Sequence, residues 1–167
     1  KHGLLRLIRH LVANPDPRVG IDAQASPGRL NEALIRLRRV SRPGSLIVLL
    51  GDFYGIDDQS GGHLLRLRQH SDVVAMQIVD PLEEAPPVAA RYAVVDGDRQ
   101  GILDTRSKVA RHAYQDYFSQ HHRSVVTIMR RQAIPLLRLS TGDDIVGALR
   151  SFFAGASGRA AIGRSAA

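Results

Sequence analysis

The chain has 167 residues, and 44% of them are apolar, which suits one globular domain with a core of its own. Lys and Arg number 23 against 16 Asp and Glu, so the net charge of +7 makes acidic partners a class to consider. The absence of cysteine excludes disulfides and thiolate metal sites, and the chain has no need of an oxidising compartment. We therefore expect a cytoplasmic protein.

Neither a membrane-spanning segment nor a signal peptide is predicted. The longest apolar run, Leu46–Leu50, is far shorter than the roughly 20 residues that cross a bilayer. Arg6 and Arg9 interrupt the N-terminal segment, which also has no small-residue cleavage site.

Two helices are predicted before the first strand. Apolar residues recur at helical spacing from Leu4 to Val12, and Asn14–Pro17 ends that helix. The second helix takes Ser26 as its N-cap and Pro27 as its first residue. Its buried stripe is formed by leucines at helical spacing, namely Leu30, Leu34 and Leu37.

The first strand is predicted at Ser45–Leu50, where the apolar run is continuous rather than alternating. Such a run is typical of a central parallel strand that is covered on both faces. Gly61 and Gly62 then break the chain, His63–His70 forms a short helix, and Val73–Val79 forms a second strand. Strand, helix and strand in this order predict parallel pairing through a right-handed crossover.

The second half of the chain adds a hairpin, two helices and one more strand. Asp96-Gly97 favours the hairpin turn because both central residues of a type I′ turn need positive φ. The elements are the hairpin strands Ala90–Val95 and Gln100–Leu103, a helix over Ser107–Gln132 with Val109 and Tyr117 available for burial, a strand at Ile134–Leu139, and a helix capped by Ser140–Asp144.

These elements predict an α/β sandwich. A doubly wound sheet usually begins with a buried strand, whereas this chain begins with two helices, so we expect the first strands of the sheet to be missing. We expect residues 1–154 to form this partial α/β domain and residues 155–167 to form a disordered tail.

The order and wording of several segments resemble the C-terminal half of the bacterial domain of unknown function 58 family. The segments are KHGLLRLIRHLVA, LNEALIRLRRV, GSLIVLLGDF, DVVAMQIVDPLE, GILDT and LLRLSTGDD, and the resemblance spans Lys1 to Phe153. It implies a Rossmann-like domain similar to the von Willebrand factor A fold, with a mainly parallel sheet, helices on both faces and a β-hairpin insertion. It also implies no established catalytic activity. The genes of this family commonly lie beside MoxR-type AAA+ ATPases, which suggests a role in assembling or maturing protein complexes.

The same resemblance directs attention to Asp52. Domains of the von Willebrand factor A type can hold Mg²⁺ through an Asp-x-Ser-x-Ser loop, a Thr from a second loop and an Asp after a later strand. Asp52 matches the late Asp because it follows LIVLLG, whereas no Asp-x-Ser-x-Ser occurs in this sequence. We therefore expect no cofactor in this chain and a Mg²⁺ site at Asp52 only in an intact parent protein. The alternative is a turn residue that accepts backbone N–H groups after the strand.

Other candidate sites have simpler structural interpretations. Asp57, Asp58 and Asp80 could join Asp52 at the carboxyl edge of the sheet, where open α/β sheets bind ligands, although such loops are often acidic because they are solvated. The neighbours His121 and His122 point to different sides of a helix, which is the wrong spacing for shared metal ligation. The sequence contains no G-x-S-x-G elbow and no phosphate loop, so no catalytic residue is predicted.

Nucleic-acid binding is the rival hypothesis, since basic clusters such as Arg36–Arg39 and Arg130-Arg131 could neutralise phosphates. Aromatic residues make up only 5% of the chain and include no Trp, so base stacking lacks a platform. The sequence thus favours a non-catalytic protein-interaction domain that binds its partner at the carboxyl edge of the sheet. A sheet edge exposed by missing strands also predicts a homodimer.

Overall fold

Strands alternate with helices along the part of the chain that the computed structural model describes, residues 28–96 and 99–164. The helices are α1 (Arg29–Val40), α2 (Asp58–Arg68), α3 (Pro81–Glu84), α4 (Lys108–Arg131) and α5 (Ile145–Arg164). The strands are β1 (Leu46–Gly51), β2 (Asp72–Val79), β3 (Arg91–Asp96), β4 (Arg99–Asp104) and β5 (Leu136–Ser140). The helix predicted from Leu4 to Val12 lies outside the described residues.

Three of the strands form a parallel sheet in the order β1-β2-β5. Ile47 pairs with Val73, and Ala75 pairs with Leu136. With helices flanking this sheet, the predicted α/β, Rossmann-like class is confirmed. The position predicted for Ser45–Leu50 is wrong, however, because within the described residues β2 is the central strand and β1 lies at the edge.

The hydrophobic core lies between one face of the sheet and three helices. It is formed by apolar residues of α1, α2, α4 and the strands, among them Leu34, Leu64, Val125, Met129, Ile47 and Ala75. On the opposite face of β2, Val74 and Met76 are buried too, so the central strand is covered on both sides. The predicted leucine stripe of α1 is confirmed, since Leu34 is buried and Leu30 and Leu37 pack against the core.

Helix α2 begins earlier than the sequence predicts. Asp57 is its N-cap, and a capping box joins Asp57 to Ser60. Gly61 and Gly62, which were expected to break the chain, lie inside the helix. A side-chain carbon on Gly61 would stand 3.4 Å from Nε2 of Gln132 at the end of α4, an ordinary van der Waals distance, so Gly61 faces α4.

Helix α1 and helix α4 differ from the sequence prediction in detail. Gly28, with a φ of 105°, occupies the N-cap position of α1, so the helix begins at Arg29 instead of Pro27. Helix α4 was predicted to begin at Ser107; Ser107 is instead its N-cap, because its side chain accepts the N–H of Ala110. Val109 and Tyr117, expected to be buried, are exposed on α4.

The predicted β-hairpin is confirmed as an antiparallel pair of β3 and β4, with Tyr92 opposite Leu103. Its base is fastened by Thr105, which is buried and whose hydroxyl donates to the carbonyl oxygen of Val88 at 2.7 Å. The turn at Asp96-Gly97 falls at the boundary of the described residues, so its predicted type is outside them.

Helix α5 continues to Arg164, into the stretch that the sequence predicts as a tail. The predicted boundary between a domain ending at residue 154 and a tail stays a prediction. Across residues 28–96 and 99–164, none of the helices combines the length and the apolar character that crossing a bilayer requires.

Candidate functional site

One face of the strand β1 exposes apolar side chains. Alternate residues of a strand point to opposite faces, and Ile47 is only 7% exposed because it faces the helices. Leu46, Val48 and Leu50 point to the other face and are 62%, 39% and 67% exposed. We call these three residues the β1 face. Their exposure contradicts the prediction that both faces of β1 are covered. The strand that is covered on both faces is β2.

The backbone of β1 is also open on one side. Its hydrogen-bonding partner is β2, and the described residues place no strand along its other side. Edge strands are usually protected by charged residues, Pro or a bulge. The strand, LIVLLG, contains no charge and no Pro. It therefore combines an open hydrogen-bonding edge with an apolar face.

An apolar groove of about 380 Å³ runs between α1 and β1. Leu30 and Leu37 of α1 form one wall, and Leu49 and Leu50 of β1 form the other. The groove reaches the carboxyl end of the strand, where Asp52 and Tyr54 contribute to its lining. We call this cavity the α1–β1 groove.

Asp52 acts as a turn residue at the end of this groove. One carboxylate oxygen accepts the backbone N–H of Tyr54 at 3.0 Å, which is the Asx turn that the alternative interpretation of Asp52 predicted. The turn includes Phe53 at φ 60° and Gly55 at φ 81°. Phe53 is nevertheless buried, so its unusual backbone brings its ring into the core.

A ring contact joins this turn to α4. The imidazole of His121 stacks on the ring of Tyr54, with the centroids 3.9 Å apart and the planes 7° from parallel. Nε2 of His121 also lies 2.8 Å from the carbonyl oxygen of Asp52, so a protonated Nε2 donates to it. Sequence spacing gave no sign of this contact because 67 positions separate the two rings.

The hydroxyl of Tyr54 continues the chain of contacts towards α3. Burial raises the pKa of Tyr54 well above its usual value, and the nearby Glu83 carboxylate raises the pKa further. The neutral phenol therefore donates to Oε2 of Glu83 at 3.4 Å. Burial likewise raises the pKa of Tyr114, whose hydroxyl donates to the carbonyl oxygen of Leu82 at 2.8 Å.

A buried polar pair lies beneath this surface. Gln77, in the centre of β2, is 1% exposed, and its Oε1 lies 2.8 Å from Nδ1 of His122. Burial lowers the pKa of His122, and the Arg138 guanidinium lowers the pKa further, whereas Glu84 acts in the opposite direction. Neutral His122 with its proton on Nδ1 satisfies the amide oxygen of Gln77. As predicted, His121 and His122 bind different partners.

The other predicted acidic residues have structural roles. Asp80 caps α3 by accepting the N–H of Leu82 at 2.8 Å, and Asp57 caps α2. The N–H of Ser60 holds the pKa of Asp57 below its ordinary value, and the amide of Asn31 reinforces this effect. Asp58 is exposed and pairs with Arg131 at 3.4 Å. These carboxylates therefore do not form a shared site with Asp52.

The described residues do not form a metal site around Asp52. Among residues 28–96 and 99–164, no three His, Cys, Asp or Glu side chains lie close enough to hold one ion. A hard cation such as Mg²⁺ takes about six oxygen ligands in a near-octahedral arrangement, and Asp52 brings one carboxylate that already accepts a backbone N–H. A Mg²⁺ site in an intact parent protein stays a prediction.

Comparisons with known proteins identify the family. The search of curated proteins and the search of solved structures gave no match. A family model described as "Protein of unknown function DUF58" matches residues 1–124, well over half of the chain. The likeness to the von Willebrand factor A fold stays a prediction. The chain belongs to the DUF58 family of proteins of unknown function.

Proposed function

We propose that this chain is a non-catalytic protein-interaction domain that binds an extended segment of a partner protein alongside β1. A segment of this kind adds one strand to the sheet and binds mainly through its backbone, while its alternating side chains give specificity. This mode of binding needs an open edge, an apolar surface and room for side chains.

The observation that carries the proposal is the coincidence of all three features at one strand. The outer side of β1 has no strand beside it within the described residues. The β1 face exposes three apolar side chains at every second position. The α1–β1 groove, about 380 Å³ in volume, lies along the same strand and ends at the carboxyl edge of the sheet.

The shape of this surface defines the chemistry of the bound segment. Side chains at alternate positions would extend over the β1 face or into the α1–β1 groove, so both sets should be apolar. The chain carries a net charge of +7, so acidic residues flanking the apolar segment would favour association. The expected ligand is therefore an extended apolar segment with acidic flanks.

A MoxR-type AAA+ ATPase is the partner we propose, with assembly or maturation of protein complexes in the cytoplasm as the process. Membership of the DUF58 family supports the choice, since the sequence resemblance implies that genes of this family commonly lie beside such ATPases. The absence of cysteine from the sequence supports a cytoplasmic location.

Calorimetry of this chain with a MoxR-type AAA+ ATPase tests the proposal. We expect saturable binding, weakened about tenfold or more by Val48→Asp, since the new charge would be desolvated in the complex. The matched control is Val95→Asp, which places the same charge on an exposed valine of β3. It should leave the affinity within about twofold.

Two results would overturn parts of this proposal. No binding by the native chain would eliminate the ATPase as the partner, and equal losses in both variants would eliminate β1 as the docking strand. If light scattering finds a dimer of this chain that Val48→Asp dissociates, a second copy occupies β1 instead, as the predicted homodimer would require.

A further inference from the structure

A second cavity lies at the opposite end of the sheet from Asp52. It has a volume of about 400 Å³ and is lined where α1 leads into β1 and where α2 leads into β2. Its charged and polar lining comes from two loops and two helix ends, including Arg38, Arg42, Arg66, His70, Ser41 and Ser71. Among the residues that the structure describes, three guanidinium groups and no carboxylate line the cavity.

Several arginines elsewhere in the chain form ion pairs with carboxylates. Arg106 pairs with Asp104 at 2.6 Å, and Arg138 pairs with Glu84 at 3.2 Å. Over the described ranges, no carboxylate forms an ion pair with Arg38, Arg42 or Arg66. Three cations therefore line one cavity without a neutralising partner from those parts of the chain. An anion in the cavity would relieve their mutual repulsion.

A histidine of α2 holds the guanidinium of Arg38 in place. Its Nη1 lies 3.5 Å from Nδ1 of His63, a long hydrogen bond in which the guanidinium donates. His63 is only 7% exposed, and its Nε2 is buried without a hydrogen-bond partner within the described residues. Within the described residues, this contact is the one polar contact of the imidazole, and the remaining N–H groups of Arg38 have no partner there and can donate to a ligand.

Helix dipoles explain why some of these arginines lie at helix ends. The last turn of α1 holds Arg38 and Arg39, and the last turn of α2 holds Arg66 and Arg68. Cations are stabilised there by the partial negative charge of a helix C-terminus. Arg42 lies in the loop after α1, so the dipole does not account for its presence in the cavity. Arg39 and Arg68 do not line the cavity, which makes them natural controls.

We propose that this cavity binds the phosphate groups of a small anionic molecule, with Arg38, Arg42 and Arg66 donating to the phosphate oxygens. The guanidinium fork matches two phosphate oxygens at once, and its charge strengthens both hydrogen bonds. The volume is within the range of small-molecule sites. A small molecule fits better than a nucleic-acid strand, because no Phe, Tyr or Trp among the described residues lines the cavity to stack on successive bases.

Calorimetric titration with inorganic pyrophosphate, at constant ionic strength maintained with chloride, tests the site. We expect one saturable site per chain and a melting temperature that rises with pyrophosphate concentration, since the ligand binds the native state alone. Parallel titrations with inorganic phosphate and ADP distinguish a site for free oligophosphate from one for a nucleotide. Tighter binding of either pyrophosphate or ADP than of phosphate supports the proposal.

Paired variants separate a specific site from diffuse charge. Arg38→Ala and Arg66→Ala should each weaken pyrophosphate binding about tenfold, the effect expected from losing charge-assisted hydrogen bonds. Arg39→Ala and Arg68→Ala remove the same charge from the same helix ends and should leave affinity within about twofold. Arg38→Lys should bind more weakly than the native chain because it keeps the charge but loses the fork.

Three results would overturn the proposal. The first is the absence of saturable binding for all three phosphates. The second is an equal loss of pyrophosphate affinity in all four alanine variants. The third is tight binding of a DNA duplex that pyrophosphate does not displace. The melting temperature of each variant without ligand shows that it is folded, so a loss of affinity reports on the cavity itself.

Discussion

His121 of α4 stacks on Tyr54 of the turn after β1, with ring centroids 3.9 Å apart, and also contacts the carbonyl oxygen of Asp52 at 2.8 Å. One imidazole thus fixes both the ring and the backbone of the turn. Because this turn closes the carboxyl end of the α1–β1 groove, the stack connects the long helix to the proposed docking strand.

Removing the ring of Tyr54 should destabilise the fold. We expect Tyr54→Ala to lower the free energy of unfolding by about 1–3 kcal/mol, because it removes a partly buried ring and its stack on His121. Tyr54→Phe keeps the stack and loses only the long hydrogen bond to Glu83, so its cost should stay below about 1 kcal/mol. Urea unfolding of both variants measures the difference, and equal costs would show that the stack contributes nothing.

Asp57 and its neighbour Asp58 should differ in their contribution to stability. Asp57→Ala removes the N-cap of α2 and should cost about 1 kcal/mol. Asp58→Ala removes a carboxylate whose ion-pair partner within the described residues is an exposed arginine, so a change below about 0.5 kcal/mol is expected.

The cap should also respond to acid. Asp57 has a folded-state pKa below 3.8, so the unfolded chain takes up its proton first as the pH falls. Its stabilisation is present above the unfolded-state pKa and is lost as the pH falls through the folded-state pKa. The difference in unfolding free energy between native chain and Asp57→Ala should therefore shrink in acid. A difference that is constant down to strongly acidic pH would contradict this assignment.

His122 should make the protein less stable in mild acid. Its folded-state pKa lies below 6.5, because burial and the nearby Arg138 and His121 disfavour the charged form. As the pH falls below 6.5, the unfolded chain is protonated before the folded chain, so stability decreases until the lowered folded-state pKa is reached. His122→Gln lacks this titration and should lose less stability between pH 7 and pH 5, as urea unfolding at each pH can measure. A greater loss of stability in His122→Gln than in the native chain would exclude this explanation.

Mg²⁺ should not stabilise this chain. Asp52 accepts a backbone N–H, and within the described residues it belongs to no group of three His, Cys, Asp or Glu side chains that could hold a metal ion. Thermal melting with and without millimolar Mg²⁺ should give the same midpoint for the native chain and for Asp52→Asn, which retains the oxygen that makes the Asx turn. A rise seen in the native chain and lost in Asp52→Asn would instead reveal a metal site.

The local elements were predictable because they depend on neighbouring residues. Continuous apolar runs identified β1 and β2, Asp96-Gly97 located the hairpin, and the serine before α4 marked its beginning. The start of α2 was missed because Gly61 and Gly62 look like a break, while the position of Gly61 against α4 becomes visible only in three dimensions.

Strand order and side-chain contacts were less predictable. The sequence of β1 is as apolar as that of a central strand, so its position at the edge follows only from its pairing. Asp52 was correctly located after the strand, but the stack of Tyr54 on His121 depends on how α4 crosses the sheet. The basic cluster of α1 is visible in the sequence, whereas the cavity that Arg38 shares with Arg66 joins residues from two separate helices.

Residue-resolved amide hydrogen exchange of the free chain, at a concentration where its mass is that of a monomer, tests the open edge of β1 most directly. In an edge strand, alternate N–H groups bond the neighbouring strand and the others face outward. We expect alternating protection over Leu46–Gly51, against continuous protection over Ala75–Gln77, where β1 and β5 both pair with the central strand. Uniform protection of β1, equal to that of β2 in the monomer, would mean that the chain itself covers this edge and would contradict its role as a docking strand.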